Sequence, residues 1–108
     1  MGASDHDLVA VTMFALRPGV PWADFQRFSL ELDQPACRSC AQVVSFEVYH
    51  VTSAPDGGAA DVVEVLRVRD WAAWESVRDD DPSFTPVLQR FTELVDLGTL
   101  RTWFTRAV

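Results

Sequence analysis

His50 and Glu64 are the residues whose surroundings first suggest chemistry. Each stands in a mostly apolar run, Val43-Val44-Ser45-Phe46-Glu47-Val48-Tyr49-His50-Val51 and Asp61-Val62-Val63-Glu64-Val65-Leu66-Arg67-Val68. The turn signal Pro55-Asp56-Gly57-Gly58 between them predicts a hairpin whose paired residue numbers sum to about 114 to 116. Side-chain alternation then puts positions 50 and 64 on one face as direct or diagonal neighbours, near enough to share a proton. A carboxylate buried charged and alone is costly, so Glu64 must find a partner or hold its proton to higher pH. The pair reads either as acid–base machinery or as a structural pair in which each group satisfies the other.

The elements that must position this pair follow from periodicity. Leu8 to Leu16 is apolar on both sides of the alternation, as a central strand would be, and stops at Arg17-Pro18-Gly19. Trp22, Phe25, Phe28 or Ser29, and Leu32 make one helical stripe. That helix is expected to end near Pro35, which leaves Asp33 at its C-terminal end, where an acid opposes the helix dipole. The hairpin strands follow. Asp70 is placed to cap a helix beginning Trp71-Ala72-Ala73-Trp74, broken by Asp79-Asp80-Asp81-Pro82. A further helix is expected from Pro86 to Leu97, with Gly98 ending it, and residues 99–108 read as a closing strand. The triple aspartate lacks the alternating ligands and distal glutamate of a calcium loop and reads as a solvated helix break.

Composition bounds the function. A chain of 108 residues with net charge -7, and nine scattered bases that are all arginine, offers no basic patch for nucleic acid or an anionic membrane. The absence of lysine excludes lysine Schiff-base chemistry and a P-loop. No apolar run approaches the roughly 18 residues of a membrane span, and no leader pattern opens the chain, so a cytoplasmic protein is expected. Cys37 and Cys40 form a lone C-x-x-C without two further ligands, so no metal site is expected, and Cys37 is the thiol expected to face a pocket. With His50 the single histidine of the folded part, a haem is disfavoured and no cofactor is expected.

The order βαββαβ predicts an α+β, ferredoxin-like fold: an antiparallel four-stranded sheet with both helical regions on one face. Residues 1–7 are expected to form a disordered tail and residues 8–108 one domain. Even-numbered strand positions are assigned to the helix-covered face, and odd-numbered ones, including Met13, Val43, Tyr49, Val65 and Trp103, to an apolar face that predicts a homodimer. Thr12, His50, Glu64 and Thr102 are then the polar groups beneath a helix that offers Asp33 and Cys37. Phe14, Phe46 and Phe104 are expected to line the apolar cavity between the two layers.

The stretches Phe14-Ala-Leu-Arg-Pro-Gly, Glu31-Leu-Asp-Gln-Pro-Ala, Val44-Ser-Phe-Glu-Val-Tyr-His-Val-Thr, Asp61-Val-Val-Glu-Val-Leu and Phe91-Thr-Glu-Leu-Val-Asp resemble the RedY-like (HapK-like) family of the dimeric α/β-barrel superfamily. The likeness spans about residues 8 to 106. It implies a homodimeric α/β barrel with a pocket between helices and sheet. It also implies a small cofactor-independent enzyme that steers a reactive aromatic intermediate in prodiginine or bisindole alkaloid pathways. Carried over by position, it places Glu31 and Asp33 near the pocket and Glu64 within it, while His50 stands where the family has a basic residue.

Three functions are compatible with this sequence. The first is a cyclase-type catalyst on an indole- or pyrrole-derived substrate, with Glu64, His50 and Asp33 as the catalytic groups and an upstream pathway oxidase as a further candidate partner. Thr12, Phe14, Glu31, Cys37, Phe46, Thr102 and Phe104 would then bind the substrate. The second is a cofactor-free monooxygenase of the antibiotic-biosynthesis type, and the third is a module that binds a small molecule without chemistry.

Overall fold

The computed structural model describes residues 7–54 and 60–108. The hairpin tip at Pro55-Asp56-Gly57-Gly58 and the first six residues lie outside the described ones. Asp7, assigned from sequence to a disordered tail, is instead 4% exposed and lies 3.9 Å from the guanidinium of Arg67. An ionic partner at the strand start draws this residue into the fold.

Four strands, β1 (Leu8–Leu16), β2 (Val43–His50), β3 (Val62–Val68) and β4 (Val95–Thr105), form one antiparallel sheet in the order β2-β3-β1-β4. This is the ferredoxin-like arrangement. β1 is central, as its unbroken apolar run predicts, and Asp61 ties the strand ends together. Its N–H donates to the Phe14 carbonyl, its Oδ2 accepts from Leu16 N–H, and its carbonyl accepts from Val51 N–H. Gly19 closes the first turn at φ +84°, a conformation that disfavours any residue with a Cβ.

The even-numbered face of the sheet is the helix-covered one over most of its length. Ala10, Phe14, Phe46, Val62 and Val68 are buried on it, whereas Met13, Tyr49 and Trp103 remain open on the other face. The alternation fails at the start of β2, where the register shifts between Val43 and Ser45. This bulge buries Val43 and exposes Val44, the reverse of the sequence expectation.

The first helix does not stop at Pro35. α1 (Trp22–Phe28) runs into one π-helical turn (Ser29–Asp33) and then α2 (Gln34–Arg38). Gln34 N–H bonds the Ser29 carbonyl five residues back. A proline has no N–H to donate and crowds the carbonyl of the preceding turn, and a π turn accommodates both defects without ending the helix. Asp33 is therefore at mid-helix and buried, not at a solvated end.

Asp70 caps α3 (Trp71–Asp80) as predicted, its Oδ1 accepting from Ala73 N–H at 3.1 Å. Asp81 caps a 3-10 turn (Pro82–Phe84), and α4 (Thr85–Leu94) follows. α4 ends three residues before the expected Leu97, because Val95 already pairs with Leu16 in the sheet. Gly98 thus lies within β4, where the register shifts between the Met13 and Ala15 pairings. There Asp96 Oδ1 accepts from Gly98 N–H, and Thr99 Oγ1 accepts from Ala15 N–H, so side chains stand in for ladder bonds.

Phe14 sits at the centre of the core, edge-on to Phe25 and Phe91 with centroids 5.7 and 5.3 Å away. Among the described residues, no helix is long and apolar enough to cross a membrane.

Candidate active site

Register alone builds the polar floor of the site. Thr12 on β1 lies opposite Glu64 on β3 and opposite Thr102 on β4, so three polar residues form one row across the middle of an otherwise apolar face. The Thr12 and Thr102 hydroxyls are hydrogen-bonded at 3.0 Å. Glu64 has its Oε2 enclosed with no hydrogen-bond partner among the described residues, although the residue as a whole keeps some surface open to the cavity above.

The π turn supplies the second acid. By widening the helix it turns Asp33 inward over the sheet, and Cys37, one turn further on, donates its S–H to Asp33 Oδ1 at 3.4 Å. Gln34 Nε2 bonds Ser29 Oγ at 3.0 Å across the π turn. The Arg38 guanidinium donates from Nε and one Nη to the Phe46 carbonyl, at 3.2 and 2.7 Å, and pins the end of α2 to β2.

Between these layers lies a cavity of about 540 Å³, the volume of a small-molecule site. Its floor is Ala10, Thr12, Phe46, Glu64, Leu66, Leu100 and Thr102, and α2 contributes Cys37 beside Asp33. Trp71 and Trp74 of α3, with Phe84, Val87, Leu88 and Phe91, form an aromatic and aliphatic wall that also includes Phe104. Glu75, Arg78 and Asp79 complete the lining. Trp74 Nε1 is a second enclosed polar atom without a partner in this lining.

Burial governs the protonation of the two acids. Removal from water raises the Asp33 carboxyl from 3.8 to about 6, partly opposed by the Cys37 hydrogen bond. The same desolvation, with repulsion from the Asp33 charge, holds Glu64 well above the usual carboxylate range. Of the two acids Glu64, the more deeply desolvated and the one facing its neighbour's charge, is favoured to keep a proton, and Asp33 is favoured to ionise first. Burial and the adjacent acids also push the Cys37 thiol up, which keeps it protonated as a hydrogen-bond donor.

The expected His50–Glu64 pair is not formed. Observed β2–β3 partners put Glu64 opposite Val48 and His50 opposite Val62, so the hairpin is slipped by two residues from the register that would join them. The two still share a face, but His50 stands at the outer edge, exposed and stacked flat on Trp22 with centroids 3.6 Å apart. It lines a separate hollow of about 290 Å³ with Trp22 and Phe25. The titratable neighbour of Glu64 is Asp33.

Of the other residues singled out from sequence, Thr12, Asp33, Cys37, Phe46, Thr102 and Phe104 converge on the main cavity. Phe14 does not reach it, being enclosed in the core beneath. Glu31 is exposed and lines a third hollow with Arg27 and Arg90. The wall from α3 and α4 was not anticipated as lining. Its signal in the sequence was the aromatic load of Trp71, Trp74 and Phe84, which reads equally well as packing. Among the described residues, no group of three histidine, cysteine or acidic side chains could hold a metal ion.

A family model described as REDY-like protein HapK matches residues 8–108. No curated protein matches the sequence. Among solved structures, the fold is similar to HapK from Hahella chejuensis, with TM-score 0.74 and 18% identity over 94% of each chain. It is also similar to SnoaB, a cofactor-independent oxygenase from Streptomyces nogalater, with TM-score 0.73 and 14% identity over 95% of this chain and 94% of that one. A dimeric ferredoxin-like protein from Bacteroides fragilis superposes with TM-score 0.69 and 14% identity, over 94% of this chain and 97% of that one.

Proposed function

The chain belongs to the REDY-like HapK family, and from that premise we propose that it is a cofactor-independent acid–base enzyme, a cyclase acting on an indole- or pyrrole-derived intermediate of secondary metabolism. One observation carries the reading: two acids withdrawn from water, Asp33 and Glu64, border an aromatic-walled cavity, and burial raises the proton affinity of both. Such a pair offers a base and an acid together. In a ring closure, Asp33 accepts the proton of the attacking N–H or C–H while Glu64 gives its proton to the carbonyl oxygen under attack. Proton exchange between the two acids restores the starting state. Phe46, Phe84, Phe91 and the two cavity tryptophans exclude water and align a planar substrate, and the Thr12–Thr102 pair offers a hydroxyl to orient it.

The open sheet face of Met13, Tyr49 and Trp103 supports a homodimer that stacks two sheets, as does the dimeric state of the similar Bacteroides fragilis protein. Light scattering coupled to gel filtration tests it, and a monomer at micromolar concentration refutes it.

The catalytic reading is tested with aldehydes and imines bearing an indole or pyrrole ring, with product formation followed by NMR. Glu64→Gln and Asp33→Asn are each expected to lower turnover by about 10²- to 10⁴-fold. Retention of turnover in both variants refutes the acid–base role. The likeness to a cofactor-independent oxygenase favours one alternative, substrate-driven oxygen chemistry in the same cavity. Substrate-dependent oxygen consumption would select it over the cyclase.

A further inference from the structure

Resting on the acid–base reading of this cavity, we propose that its ligand is a cation: an aromatic amine or iminium whose nitrogen seats against Asp33 and Glu64. Among the described residues, the lining holds four carboxyl groups, Asp33, Glu64, Glu75 and Asp79, against one base, Arg78. That base is already engaged. Its Nε and one Nη donate to the two oxygens of Asp79 at 2.9 and 3.3 Å, and Glu75 lies 3.6 Å from the guanidinium. Its guanidinium carbon also lies 5.9 Å from the centroid of the Trp71 ring. A carboxylate arriving at this side of the cavity would have to displace Asp79 and then meet the charge on Asp33 within.

A cation meets the opposite conditions. Glu64 lines the floor with an Oε2 that has no partner among the described residues, and a donor N–H⁺ met by a turn of that carboxyl would satisfy it. Aromatic rings line the cavity, and a ring whose face meets a cation attracts it. The whole chain, at net charge -7, repels anions and draws cations before contact is made. The groups that set the charge of the occupied site are Asp33 and Cys37 from the helix, Glu64 from the sheet, and Glu75, Arg78 and Asp79 from α3. A cation placed among them lowers the proton affinity of both buried acids, so its binding at neutral pH releases a proton from Glu64.

Three indoles of similar shape and different charge test this with the full chain: tryptamine, tryptophol and indole-3-acetate, titrated calorimetrically in buffers of differing ionisation heat. Tryptamine is expected to bind about tenfold or more tighter than indole-3-acetate, with tryptophol between them, since like-charge contacts penalise wrong partners strongly. Its binding should release protons at pH 7, and Asp33→Asn should remove the preference. The order of the three ligands on the unaltered protein needs no variant to fold. Indole-3-acetate binding as tightly as tryptamine or tighter overturns the proposal while leaving the acid–base reading intact, and so does a preference that survives Asp33→Asn. Failure of all three to bind refutes the aromatic cavity reading and this inference with it.

Discussion

Replacing Asp33 by asparagine removes a charge from a place where the fold resists it, and the size of that resistance follows from the structure. A rise from 3.8 to about 6, at roughly 1.4 kcal/mol for each tenfold change in proton affinity, makes the ionised carboxylate about 3 kcal/mol harder to bury than its neutral form. The sign follows from linkage. The folded state holds this proton more tightly than the unfolded chain does, so its stabilising contribution is complete below pH 3.8 and is lost as pH rises through about 6. Asparagine has nearly the same shape, keeps an oxygen to accept from Cys37, and never ionises. Asp33→Asn should therefore gain on the unaltered protein by about 2 kcal/mol between pH 4 and pH 7, because at pH 4 the unfolded chain's carboxyl is already more than half ionised. Relief of Glu64 from its charged neighbour adds in the same direction. Urea unfolding at a series of pH values and one fixed protein concentration measures the gap, which corresponds to a midpoint shift of roughly 1.5 M at an m-value of about 1.5 kcal/mol/M. Any constant cost of the substitution appears equally at every pH and cancels from the trend. A gap that is flat from pH 4 to pH 7 would show that the carboxylate is not desolvated, and the acid–base reading would lose its physical basis.

The remaining tests separate site from scaffold. Phe14→Ala should cost about 3–5 kcal/mol in urea unfolding, since Phe14 is a fully enclosed core ring and not a cavity wall. His50→Ala should leave the pH dependence of tryptamine binding unchanged while Glu64→Gln alters it, because His50 lines a different hollow; equal effects would restore the pairing expected from sequence. At pH 8 a thiol reagent should modify half-buried Cys40 well before Cys37, whose buried thiol holds its proton, and mass spectrometry of peptides reads the order. Asp70→Ala should cost about 1 kcal/mol of stability through loss of its bond to Ala73 N–H.

What the sequence made legible was local. The apolar runs at Leu8–Leu16 and Val62–Val68 marked the strands, and Asp70 before Trp71 announced a helix start. Register was less accessible. The residues at 55–59 form a turn signal without fixing loop length, and a slip of two residues preserves the face while replacing His50 by Val48 as the partner of Glu64. The bulge at Val43–Ser45 and the π turn before Pro35 are compromises between a local pattern and the packing of distant elements, so no short window contains them. The Asp33–Glu64 pair joins a helix to a strand 31 residues later and requires both the π turn and the sheet register. A proline ends most helices, and nothing in the sequence around Pro35 announces the widened turn that lets the chain pass through it.

That widened turn has a consequence for how the site could be gained or lost. A π turn is an α-helix carrying one surplus residue, and each residue of an α-helix advances the side-chain direction by about 100°. Deleting Leu30, which is 59% exposed, would restore an ordinary helix of nearly unchanged length, at little expense to the interior. Because the widened turn absorbs most of the rotation its surplus residue adds, the acid and thiol on one side and Phe25 and Phe28 on the other would stay near their present faces. Tightening the turn with every residue kept would instead rotate Asp33 and Cys37 away from the hollow relative to those two rings, so the wide turn itself is what lets one helix serve both core and cavity.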